Sequence, residues 1–173
     1  MKVELYFGES LGRYSFGADH PFGPDRLHSF WRETVKQGLD RKMKIREPVL
    51  CPEEDLANFH TISYIDRVKE LSKTGTGYLD RGDTPAFPGM FEAASFVVGS
   101  GLDGVSQALY GSNIKIFIPI AGLHHARRDE AAGFCVFNDC GVLIETLKKK
   151  YSMQKIAYVD IDAHHGDGVF YAF

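Results

Sequence analysis

Short apolar runs alternate with longer amphipathic stretches along the chain. Residues 3–7 form a compact apolar run that predicts a first strand, followed by a loop rich in Gly, His and Pro over residues 8–25. Leu27, Phe30, Trp31, Val35 and Leu39 then recur at helical spacing behind the stiff, acidic entry Pro24-Asp25. Residues 44–50 predict a second strand closed by Cys51-Pro52, and the acidic turn Glu53-Glu54-Asp55 opens a short helix. Ser63 with Asp66 resembles a capping box for the next one. Residues 71–89 lack apolar periodicity and predict a surface loop bordering a pocket.

The helix predicted over residues 90–109 is rich in small residues, among them Ala93, Ala94, Gly99, Gly101 and Gly104. Glycines cost helix propensity, so another backbone is expected to pack closely there, as for a helix lying on a sheet. The β-branched run 114–120 predicts a fully buried parallel strand. Asn138 is placed to cap a helix reaching Lys150, and residues 156–159 read as a buried apolar strand. Residues after Gly168 look like the start of a further helix. Strands alternating with helices argue for a layered α/β fold with a mostly parallel sheet.

Composition narrows the class. With 173 residues, 44% hydrophobic and 25% charged, the chain suits a single globular domain spanning residues 1–173. A net charge of -3 gives no global pull towards nucleic acid or anionic lipid, so small or proteinaceous partners fit better. The first residues are too charged for a secretory leader and no stretch is apolar enough to span a bilayer, which predicts a cytoplasmic protein. Three cysteines form no paired framework and agree with a reducing compartment.

The chemistry concentrates at two predicted strand ends. One leads into Gly122-Leu123-His124-His125, the other into Asp160-Ile161-Asp162-Ala163-His164-His165-Gly166-Asp167-Gly168. Asp160, Asp162 and His164 stand at i, i+2 and i+4, on one face while the chain stays extended. Carboxylate and imidazole suit zinc, and ferrous iron equally. Zinc at Asp162 and His164 would polarise a carbonyl while a free histidine takes a proton from water, its tautomer fixed by a carboxylate on the other ring nitrogen. His165 would point away from such a site, and His28 and His60 are assigned no catalytic role.

These motifs, with Gly133-Phe134-Cys135-Val136-Phe137-Asn138-Asp139, His20-Pro21 before Arg26, Phe59-His60-Thr61 with Tyr64, and Gly82-Asp83-Thr84-Pro85, resemble the histone deacetylase family. The acetoin-utilisation type of bacterial and archaeal deacetylase is the nearest likeness. The resemblance implies a three-layer αβα fold of the arginase/deacetylase kind and hydrolysis of acetyl-lysine in protein or of a similar acetylated amine. It implies Asp162 and His164 as two of three zinc ligands, and His124 and His125 as tandem active-site histidines partnered by Asp160 and Asp167. The second histidine takes the general-base role. It further implies Phe134 as one wall of an acyl-lysine channel, the Gly133 carbonyl as a substrate-amide acceptor, Asp83 as a rim clamp and Arg26 as a lining of an acetate-release cavity. Main-chain carbonyls of Asp160, Asp162 and His164 resemble part of a potassium site.

The family's third zinc ligand, a distal aspartate, and its oxyanion-stabilising tyrosine have no counterpart among these residues. The expectation is therefore a fold lacking its carboxyl-terminal part, weakly active or inactive alone, as a portion of a longer gene product or one completed by a second chain. Two rivals remain: a non-catalytic binding module, and a dimanganese ureohydrolase, whose motif Asp-Ala-His-x-Asp would need a carboxylate where Gly166 stands.

Overall fold

The computed structural model describes residues 2–173, and its frame is a three-stranded, wholly parallel sheet. Strand β1 (Lys2–Tyr6) lies centrally between β2 (Lys44–Arg46) and β3 (Ile114–Phe117), with Leu5 in register with Ile45 on one side and Phe117 on the other. Between them run α1 (Glu9–Gly12), α2 (Arg26–Lys36), α3 (Glu53–Leu56), α4 (Ile62–Thr74) and α5 (Met90–Tyr110); α6 (Asp139–Lys149) and α7 (Asp167–Phe170) follow β3.

Alternation along the strands sends side chains to two helical layers. On one face, Tyr6 donates to Asp103 of α5, and Glu4 pairs with Arg46, which also reaches Gln107 of α5 at 2.8 Å. On the other, Phe7 stacks on Trp31 of α2 at 4.2 Å and Phe117 meets Phe30 of α2 at 5.5 Å. Helices thus cover both faces, the αβα arrangement expected. The small residues of α5 also pack as expected: a Cβ at Gly99 would collide with the backbone of residues 49–51. Leu11, Tyr14, Ile65, Val68, Met90 and Val97 belong to one continuous core beneath α5.

Several expectations need correction. The strand expected over residues 114–120 ends at Phe117 and is half-buried in alternation, because its outer edge has no partner among the described residues. The apolar run 156–159 is not a strand. No ladder hydrogen bond engages it, and Val159 and Ile161 are 78% and 95% exposed. A strand exists only through a neighbour, and here the carboxylates of Asp160 and Asp162 instead accept from amides two residues on, at 3.1 and 2.8 Å. The second strand stops at Arg46, the loop at 8–25 contains α1, and the loop expected from 71 begins only after Thr74. The cap of α4 is Thr61, whose hydroxyl accepts from the Tyr64 amide at 3.3 Å, rather than Ser63.

Candidate active site

Two loops meet beyond the carboxyl ends of the strands. Residues 118–126 leave β3, and residues 160–166 lead into α7. In the first, the Asp139 carboxylate accepts from the amides of Gly122, at 3.0 Å, and Leu123, at 2.6 Å, while Asn138 Nδ2 donates to the Ala126 carbonyl at 2.8 Å. Asn138 also caps α6 through Gly141, at 2.8 Å, as its position predicted. Its own amide donates to Nε2 of buried His60 at 2.9 Å; desolvation holds His60 neutral, its pKa lowered to about 4.

These anchors present two adjacent imidazoles, their centroids 4.2 Å apart. His124 Nδ1 bonds Asp160 Oδ2 at 2.7 Å, and His125 Nδ1 bonds Asp167 Oδ1 at 2.8 Å. With both Nδ1 atoms so engaged, each ring keeps Nε2 for proton exchange. Burial pushes the Asp160 carboxyl upward, but hydrogen bonds from His124, Tyr158 and the Asp162 amide outweigh it and hold the group at about 2. At Asp167 burial is likewise outweighed, by His125 and Arg127, and the carboxyl titrates below its ordinary value. Gly166 is required beside the first pair, since a Cβ there would lie 2.5 Å from Asp160 Oδ2 and 3.0 Å from His124 Nδ1.

His124, His125, Gly133, Phe134, Arg26, Asp162 and His164 line one cavity of about 410 Å³. Asp160 and Asp167 bond the imidazoles without lining it. Asp83 also stays outside the lining: it is exposed, and its carbonyl meets His20 Nε2 at 3.4 Å. The His20 ring in turn stands edge-on to Phe134 at 4.4 Å. Phe134 holds a left-handed backbone, φ 70°, unusual for a bulky residue. Tyr14 donates to its carbonyl at 2.7 Å, and its amide donates to Thr84 Oγ1 at 3.2 Å. His165 packs on Phe170 and Tyr171, away from the cavity.

Asp162 Oδ1 and His164 Nδ1 lie 2.9 Å apart, and the His164 ring is 6.0 Å from that of His125. For metal–donor bonds of about 2.0–2.1 Å, two atoms that close can both touch one zinc ion. Their chemistry fits a divalent metal; their number does not complete a site, since no group of three or more His, Cys, Asp or Glu among the described residues is placed to hold one metal ion. Desolvation pushes the Cys135 thiol up to about 12, and it also raises Cys140, so both stay protonated in the metal-free fold.

Sequence reasoning missed Tyr14, Tyr158 and Arg127. Tyr158 donates to Asp160 Oδ2 at 2.8 Å, and its place two residues before Asp160 was a usable signal. Tyr14 and Arg127 reach residues 120 and 40 positions away, which no local pattern encodes.

Residues 20–173 match the family model of the histone deacetylase domain. The chain is 34% identical over 177 residues to histone deacetylase clr6 of Schizosaccharomyces pombe, covering 97% of this chain and 43% of that protein. It is 37% identical over 179 residues to acetoin utilization protein AcuC of Bacillus subtilis, covering 96% and 45%. Among solved structures, an HDAC homolog complexed with SAHA superposes with a TM-score of 0.85 at 31% identity, covering all of this chain and 48% of that one. The HDA15 HD domain superposes with a TM-score of 0.88 at 25% identity, covering 99% and 50%. The chain thus spans about half the length of the relatives it matches.

Proposed function

The chain belongs to the histone deacetylase family, and from that premise we propose that it carries much of the active site of a zinc-dependent amidohydrolase removing acetyl from acetyl-lysine in protein or from a similar acetylated amine. The observation that carries this reading is the pair of imidazole–carboxylate couples, at 2.7 and 2.8 Å, beside the Asp162 and His164 donors of the same cavity.

His125 is the general base. Asp167 accepts a hydrogen bond from its Nδ1–H and so keeps a lone pair on Nε2, which takes a proton from the attacking water and returns it to the departing amine. His124, held by Asp160, supports the same proton traffic. Phe134 forms one wall for the aliphatic part of the substrate, the Gly133 carbonyl accepts its amide proton, and Asp83 holds its backbone at the rim. Arg26, stacked over the Phe22 ring at 4.6 Å, supplies positive charge for the acetate product. Asp162 and His164 would hold a divalent ion, zinc or ferrous iron, which would supply Lewis acidity for the hydrolysis. A third donor and an oxyanion-stabilising hydroxyl, neither found among the described residues, would complete the site. Carbonyls of Asp160, Asp162 and His164 would help to hold a potassium ion, which would stiffen the same loop. Three unpaired thiols fit a cytoplasmic location; among the described residues no helix is long and apolar enough to cross a membrane.

The test is hydrolysis of a fluorogenic acetyl-lysine peptide by the intact zinc-loaded protein. Chelation should abolish turnover, and His125→Ala should lower kcat by roughly 10²–10⁴-fold while zinc content is retained. Zinc-loaded protein that is completed with a third donor and an oxyanion hydroxyl and still cleaves no acetyl-amide would overturn the proposal in favour of a binding module.

A further inference from the structure

We propose that Asn138 and Asp139 at the start of α6 are positioning residues that set the proton-transfer geometry of His124 and His125. This rests on the reading that those imidazoles do the acid–base chemistry. Asp139 is 4% exposed and spends both carboxylate oxygens on the turn that precedes the histidines: Gly122 N–H reaches both, at 3.2 and 3.0 Å, and Leu123 N–H reaches Oδ1 at 2.6 Å. That turn is itself tight, with the His124 amide donating to the Gly122 carbonyl at 2.9 Å. Asn138, fully buried, grips the far side of the pair, donating Nδ2 to the Ala126 carbonyl at 2.8 Å and approaching that of His124 at 3.5 Å. Two consecutive side chains therefore hold the segment 122–126 at both ends.

Helix capping does not account for this arrangement. The cap is carried by Asn138 Oδ1 alone, on Gly141 N at 2.8 Å, and it leaves Asn138 Nδ2 and the Asp139 oxygens for the histidine segment. A buried carboxylate is expensive, and one is kept where a specific set of donors demands it. The clamp is in turn braced: His60 Nε2 accepts from Asn138 N at 2.9 Å, and Arg128, just after the histidine segment, reaches Glu145 of α6 at 2.8 Å. Because the segment is fixed to α6, each imidazole meets its own carboxylate from a set position. A displacement of about 1 Å between reacting groups can cost 10²-fold in rate.

The experiment compares Asp139→Asn, Asn138→Ser and Asp103→Asn in the intact zinc-loaded protein. D139N keeps one acceptor and turns the other oxygen into a donor facing the Gly122 amide. N138S keeps a capping hydroxyl but loses the amide that holds Ala126, and it serves where D139N does not fold. D103N removes a remote carboxylate that accepts from Tyr6. For D139N we expect kcat to fall about 10- to 100-fold with KM within twofold and zinc stoichiometry unchanged; N138S should lose about tenfold. In ¹⁵N-histidine spectra, the Nδ1–H resonances of His124 and His125 should shift or broaden in both variants and stay in place in D103N. Resonances and kcat that match D103N in D139N and N138S would overturn the clamp. A wild type without deacetylase activity overturns the functional reading instead, and the resonances then decide the clamp alone.

Discussion

The imidazole–carboxylate couples and the Asp162–His164 pair are held in opposite ways. The side chains of His124 and Asp160 are 8% and 25% exposed, and those of His125 and Asp167 21% and 22%; the backbone of the histidine segment is tied to α6 through Asn138 and Asp139. Asp162 and His164 are 51% and 79% exposed and bond chiefly to each other and to amides two residues away. Proton-transfer groups gain from being fixed before substrate arrives. Metal donors are fixed by the ion they share, since binding energy and ordering are coupled at such sites. On the proposed function, the difference matches preorganisation in the imidazole half and metal-driven ordering in the donor half.

Removing one donor should have the largest effect. His164→Ala is expected to abolish stoichiometric zinc binding and to take turnover to background, while the His124 and His125 resonances stay in place; metal analysis and ¹⁵N spectra check both parts. Loss of those resonances would mean that the imidazole half depends on the donor loop.

Next in size is an acid effect confined to the anchored half. His60 titrates at about 4 in the fold against 6.5 as its ordinary value, so between these pH values the unfolded chain binds more protons. Stability from this group is full above pH 6.5 and falls as pH drops through 4, by about 3 kcal/mol in all. Denaturant titrations from pH 7 to pH 4 should show that slope, and His60→Gln should flatten it; an unchanged slope would remove His60 as its source.

Gly166→Ala should lower kcat by about 10²-fold with little change in stability, because the new Cβ presses on the His124–Asp160 couple rather than on the core. The smallest effect is expected of Arg127→Ala. Arg127 meets Asp167 at 3.2 Å but is 55% exposed, and exposed ion pairs contribute about 0–1 kcal/mol. The change in kcat/KM should stay below about fivefold; a larger loss would make Arg127 part of the His125 machinery.

How far the sequence could be read follows the same division. Residues whose role is local were legible: the i, i+2, i+4 spacing put Asp160, Asp162 and His164 in one short stretch, Asn138 was recognisable as a cap, and the small residues of α5 announced a close neighbour. The strand expected at 156–159 failed because apolar character records what a segment can pair with, and only a neighbouring strand makes it pair. Tyr14, Arg127 and Asp139 act on residues distant in the chain, and nothing in the alternation of polar and apolar positions marks such bonds. Recognising the histone deacetylase motifs supplied the pairing of His124 with Asp160 and of His125 with Asp167, which spacing alone left open.

Amide hydrogen exchange on the intact protein, with and without one equivalent of zinc, tests the division most directly. Zinc should slow exchange across residues 160–166 by at least about tenfold and leave residues 122–126 unchanged, already protected in the metal-free protein. Equal slowing of both segments, or none at 160–166, would contradict a preorganised imidazole pair beside a donor loop that the metal orders.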